Sequence, residues 1–282
     1  MVSSNISRTK KWSTITSNKE VNMNILLSYL KRSKTGREII SKAQLKASKQ
    51  NKELIDLLSE GDTSLTDTTL YRKFSKDDEG AVEYETKSVV TINRSLSQYD
   101  AMLDLAHELT HFVHRDEFNP YRLDFTLQKF IKSTIEETGG EVHAFMTECK
   151  VVNELFPQEV ASRHNCKKIT NSNNELSYKH AVEQFYSVGG YYKNLQVSLH
   201  KYDLLSEFNN ISNSSIQFIS SAYGVPYPVA ALHEYNSVME KVCENDLNRY
   251  AMMTSKGPSR KIASIDVKSF KKSILTRCKN YL

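Results

Sequence analysis

The apolar positions of this chain fall into runs of different kinds. The most continuous is Met102, Leu103, Leu105, Ala106, Leu109, Phe112 and Val113, with no Pro or Gly between Asp100 and Asn119. Apolar side chains this dense predict a buried helix rather than a surface one. Residues 81–93, AVEYETKSVVTIN, alternate instead. Val82, Tyr84 and Thr86 point one way, and Val89-Val90 and Ile92 follow a corner at Lys87-Ser88, which predicts a strand or hairpin. Ser95 or Ser97 stands ready to cap the helix that follows. Looser helical spacing runs from Val21 to about Ser59, with Gly36 as a break between two helices. It returns in Glu141–Leu155, which ends before Pro157, in Glu175–Tyr186, Tyr191–Phe208 and Val229–Met253, and in a basic terminal helix Asp266–Tyr281. Gly61–Ser64 reads as a turn, Gly139-Gly140 as a break or a place of close approach, and Gly224–Pro228 as a rigid loop. No internal repeat appears. Residues 1–20 are polar and read as a loose arm. The expectation is an α+β fold, mainly helical, with a small sheet. Residues 21–282 would form one domain: a helical part 21–80, a core 81–156 and a helical part 157–282.

The buried helix carries His107-Glu108-Leu109-Thr110-His111. Residues i and i+4 differ by roughly 40° around a helix, so the two imidazoles stand one above the other. They can occupy two corners of a tetrahedral zinc site. Glu108 is one step round, close to the metal but awkward as a ligand, and is placed to hold a metal-bound water and take its proton. Asp104 or another carboxylate would orient a ligand imidazole through its far nitrogen.

The run of strand, short turn and A-H-E-L-T-H-F, within about Val82 to Leu155, resembles the zincin superfamily of zinc metallopeptidases. The resemblance implies a zincin-like core with the small sheet beside the HExxH helix, and one catalytic Zn²⁺. It also implies a third ligand from elsewhere. Metzincins would supply a later His after a Gly, but Glu117 stands where that His would fall, and His114, i+3 from His111, reads as a rim residue. Gluzincins resemble Glu-x-x-Ala on the next long helix, and Glu141-Val142-His143-Ala144 fits, with Glu137 one turn earlier as the runner-up and Glu136 and His143 less well placed. Zincins place an edge strand beside the metal helix to bind substrate backbone, which here would be Ser88–Asn93. They add a Tyr or His for the oxyanion; Tyr191, Tyr192, His200, Tyr223, Tyr227 and His233 are all available, and Tyr191 or Tyr192 beside Gly189-Gly190 is preferred. The expected activity is a zinc metalloendopeptidase of gluzincin type acting on a peptide or protein. Its alternatives are a zincin-like binding or sensor module without turnover, and an effector-type protease specific for one partner.

Composition changes this picture only at the margins. No apolar run approaches the ~20 residues that span a bilayer, and the first twenty residues show no apolar leader core. A soluble protein is expected, cytoplasmic or secreted by a route not visible here. The cysteines, Cys149, Cys166, Cys243 and Cys278, form no C-x-x-C; free thiols in a reducing compartment are the simplest reading, with one or two disulfides the alternative. The net charge of +5 is uneven: residues 1–60 carry 12 Lys and Arg against 5 Asp and Glu, residues 251–282 carry 8 against 1, and the middle 18 against 27. No aromatic-basic module accompanies the basic ends, so they read as solvated helix faces rather than a nucleic-acid surface.

Overall fold

The computed structural model describes residues 6–74, 82–116, 118–122, 124–159, 164–255 and 267–281. Residues 1–5, Ala81, Glu117, Leu123 and Asp266, on which sequence expectations fell, lie outside them.

The N-terminal segment is not a loose arm from Ile6 onward. Trp12 is fully buried, and its indole Nε1 donates to Asn93 O at 2.7 Å. Gln98 N donates to Lys10 O and Tyr99 N to Ser7 O, so the segment is laced across the turn between the sheet and the histidine helix. One tryptophan in a polar stretch has no periodicity to announce it.

Helices α1 (Lys19–Leu30) and α2 (Lys34–Ser48) follow, capped by Asn18 and Ser33. The break between them falls at residues 31–33 rather than at Gly36. Gly36 sits in the first turn of α2, where a Cβ would collide with Leu30 O of α1. Helix does not continue to Ser59: a 3-10 turn, Leu54–Leu57, leads into strand β1 (Leu58–Gly61). Strand β2 (Leu65–Phe74) and strand β3 (Val82–Asn93) complete a three-stranded sheet in the order β1-β3-β2. β3 runs straight through Lys87-Ser88, paired there with Thr69 and Thr68, so no corner forms. It is also the central strand, parallel to β1 and antiparallel to β2. The edge beside the histidine helix is therefore β2, and Ser88–Asn93 is not an edge strand. Val90 and Ile92 are fully buried against the helices.

Helix α3 (Gln98–His114) is capped by Ser97, which accepts from Asp100 N. Then come α4 (Leu127–Ile135), α5 (Glu141–Leu155), the short α6 (His164–Lys167), α7 (Tyr178–Phe185) and α8 (Tyr192–His200). α9 (Tyr227–Ser255) starts inside the expected Gly224–Pro228 loop, with Pro228 tolerated in its first turn, and α10 (Val267–Arg277) packs on it. None of the helices is long and apolar enough to cross a membrane among the described residues.

Two hydrophobic cores result. One gathers Trp12, α1, α2, the sheet and α3; the other gathers α4, α7, α8, α9 and α10. α5 serves both, with Val151 and Val152 in the first and Val142, Phe145, Met146 and Cys149 in the second. The cysteines are not free thiols. Cys149 pairs with Cys166 and Cys243 with Cys278. Each pair is 17 or 35 residues apart, a proximity no local spacing could signal.

Candidate metal centre

α3 places His107 and His111 on one face, and α5 opens with Glu141 facing them. The two Nε2 atoms are 3.0 Å apart, and Glu141 brings Oε2 within 3.3 Å of His107 Nε2 and Oε1 within 3.4 Å of His111 Nε2. Three donors on a tetrahedral zinc with bonds of about 2.0–2.1 Å stand roughly 3.3–3.5 Å apart. The donor set and its spacing therefore fit zinc. Among the described residues this is the one group of three or more His, Cys, Asp or Glu side chains close enough to share a metal ion. Ala144 is fully buried one turn beyond Glu141, where α3 and α5 pack.

The far side of each imidazole fixes its orientation. His111 Nδ1 lies 2.7 Å from Gly139 O, a carbonyl that only accepts, so Nδ1 carries a proton and Nε2 is the nitrogen that faces the cluster. Gly139 makes this possible: φ is +86°, and a Cβ there would strike the Arg115 and His114 backbone. Gly139 N donates in turn to His143 Nδ1 at 3.0 Å, so His143 braces this loop. His107 Nδ1 points at Glu148, 3.6 Å away, so the carboxylate on its far side is Glu148 rather than Asp104. Glu148 lies two turns past Glu141 on the same face of α5, a spacing readable in the sequence once Glu141 is chosen.

Burial pulls the pKa of His107 down, but hydrogen bonds to Glu141 and Glu148 and the charges of Glu141 and Glu108 outweigh it, holding the imidazolium well above the usual histidine range. Burial likewise raises Glu141, and the two histidines overcome it and hold the carboxylate well below its ordinary value. A divalent cation binding here must displace a proton, so affinity falls as pH falls.

Glu108 is buried beside the cluster. Thr66 Oγ1 of β2 lies 2.8 Å from both Glu108 Oε2 and Glu108 O, pinning the carboxylate and joining the edge strand to α3. Nothing in the sequence around Thr66 signals this. A cavity of about 300 Å³ opens over the cluster. Its walls are Ser64–Thr66 on one side and, on the other, Ser220–Tyr223 with Tyr227, Ala230, Ala231 and Glu234 of α9. Tyr227 lines the cavity with Glu141, and burial first, then the Glu141 charge, raises its phenol well above the usual value. Arg115, at the end of α3, brings Nη2 within 3.4 Å of Glu141 Oε1.

Other candidates lie elsewhere. Glu137 is exposed and lines different hollows, Glu136 faces Tyr186, and His114 packs against His143 with the rings tilted and their centroids 5.0 Å apart. Tyr191 and Tyr192 are not part of the cavity; Tyr191 is exposed, and Tyr192 OH accepts from Gln196. His200 and His233 are likewise exposed and outside it, whereas Tyr223 and Tyr227 line it. Helical spacing could not choose among these tyrosines, because the choice depends on how α9 docks over α3. Comparison with protein-family models, with curated proteins and with solved structures gives no match to this chain.

Proposed function

We propose that the chain is a zinc-dependent endopeptidase of gluzincin type, with His107, His111 and Glu141 as zinc ligands and Glu108 as general base. The observation that carries the reading is the convergence of three ligand atoms, all within 4.8 Å of one another, at the floor of an open cleft directly beside Glu108. Zinc held there would polarise a scissile carbonyl and acidify water. Thr66 occupies Glu108 Oε2, which leaves Oε1 to take the proton and pass it to the leaving amine. The outer edge of β2 offers main-chain groups to an extended peptide without demanding one sequence. Tyr227, which stays protonated at neutral pH, is the donor placed to stabilise the oxyanion. Two disulfides fit an oxidising compartment.

Purified protein should contain about one zinc per chain. Glu108→Gln should keep the metal and lose about 10²–10⁴-fold in hydrolysis, the usual scale of general-base catalysis. Protein prepared without chelators that holds no zinc, and takes up none when it is added, would overturn the proposal. Zinc binding by the wild type with no turnover of any extended peptide would favour a metal-holding module instead.

A further inference from the structure

α9 turns one face to the cleft. Tyr227, Ala230, Ala231 and Glu234 follow the i, i+3, i+4, i+7 spacing, and all four line the cavity over the metal cluster. Ala230 and Ala231 carry one methyl each and leave room between the ends of that face. Tyr227 at one end shares the cavity lining with Glu141. Glu234 at the other stands about 10 Å further along the helix axis. Glu234 also lines the continuation of the cleft, a hollow of about 220 Å³ that extends past Arg115 to Asp116 and Phe118. A further hollow of about 450 Å³ shares Asp116 and Phe118 with it. The cleft therefore continues beyond Glu234, with space for a chain to run on.

Glu234 is half-buried and, among the described residues, makes no hydrogen bond or ion pair. Arg115, the cation that acts on it, directs Nη2 at Glu141 instead. Burial pushes the Glu234 carboxyl up, the Arg115 charge pulls it down and the Glu141 charge pushes it up again. A carboxylate that is partly withdrawn from water, lines a cleft and has no partner of its own can accept charge-assisted hydrogen bonds from a cationic donor. A neutral side chain brings no opposite charge, and an acidic one adds repulsion.

Resting on the peptidase reading above, we propose that Glu234 sets the specificity of this cleft by accepting the ammonium or guanidinium of a substrate Lys or Arg side chain near the scissile bond. The side chain, rather than a terminal amine, follows from the continuation of the cleft past Glu234.

The test uses zinc-loaded Glu108→Gln protein, so that binding is read apart from turnover. N-terminally acetylated fluorescent peptides would differ at one position: Lys, Arg, norleucine, citrulline or Glu. Lys and Arg peptides should bind about tenfold or more tighter than their neutral isosteres, the scale of a hydrogen bond to a charged group. Adding Glu234→Gln should shrink that preference to within about twofold with zinc content unchanged, and Glu234→Lys should turn it toward the Glu peptide. If Glu234→Gln keeps the preference, or peptides bind without any, or it appears only for unblocked amino termini, the assignment is overturned while the peptidase reading stands. If no peptide binds the zinc-loaded protein, both fall together.

Discussion

The two cores of this molecule are held together by different means. The first is built on continuity: three strands share backbone ladders, α3 buries nearly its whole circumference, and Trp12 seals the end. No disulfide lies in it among the described residues. The second is a set of mostly short helices joined by turns, with positive φ at Asn174, Asp203, Gly189 and Gly224, and it holds both disulfides. Where ladders and long helices make burial continuous, cross-links add little. Where short pieces must each be positioned, closing loops covalently limits the unfolded chain instead. The proposed metal centre stands on the seam. Its histidines belong to the central helix of the first core, and Glu141 opens α5, the helix both cores share. A second tie crosses the seam further out, where buried Asp246 of α9 takes Arg72 of β2 at 3.0 Å and Arg277 of α10. The relative placement of the cores is thus written into the distances between the three proposed ligands.

The largest effects should separate the cores. Trp12→Ala should cost about 3–5 kcal/mol, as large-to-small core changes do, with or without reductant. Loop closure assigns about 3 kcal/mol to the Cys149–Cys166 bridge and about 4 to Cys243–Cys278. Because Trp12 is the sole tryptophan, its fluorescence reports the first core, while far-UV circular dichroism weighs the helices of the second. Under reductant the urea midpoint by dichroism should fall further than that by fluorescence. Equal shifts would mean that the two cores unfold as one unit.

The seam itself is probed next. Structural zinc sites are worth about 10–16 kcal/mol over four ligands, so losing one should lower affinity on the order of 10²–10³-fold. Competition against a chromophoric chelator should show this for Glu141→Ala and a change within about twofold for exposed Glu137→Ala. Metal loss in Glu137→Ala alone would move the third ligand one turn off the shared helix start.

The smallest effect concerns Asp104, on the first-core side of the seam. Burial first, then the Glu148 charge, raises its carboxyl to about 6, against the Ser64 hydrogen bond and the His107 charge. A folded pKa raised above the unfolded one stabilises fully below about pH 4 and loses that contribution as pH rises through about 6. In metal-free protein, the stability of wild type relative to Asp104→Asn should therefore drop by at most about 3 kcal/mol between pH 4 and 7. A flat difference in urea melts across that range would show that Asp104 is solvated.

What the sequence determined by itself is what the helix repeats. The i, i+4 pair His107 and His111, the neighbouring Glu108, the Ser97 cap, and Glu141 with a small residue one turn on are all legible, because helical neighbours are fixed by spacing alone. Even Glu148 was within reach as the residue two turns past Glu141. The tertiary structure decided everything that depends on which distant segments meet. β2 reads LTDTTLYRKF, without apolar alternation, and becomes a strand because β3 pairs with it; only that pairing brings Thr66 to Glu108 and takes the sheet edge away from β3. Trp12 is buried because the segment from Ile6 onward folds back over Asn93 and Leu96. The cysteines pair, and Tyr227 rather than Tyr191 lines the cavity over the cluster, because α5, α6, α9 and α10 dock as they do. Contacts between residues tens of positions apart are set by the summed burial of whole elements, and no local pattern carries that sum.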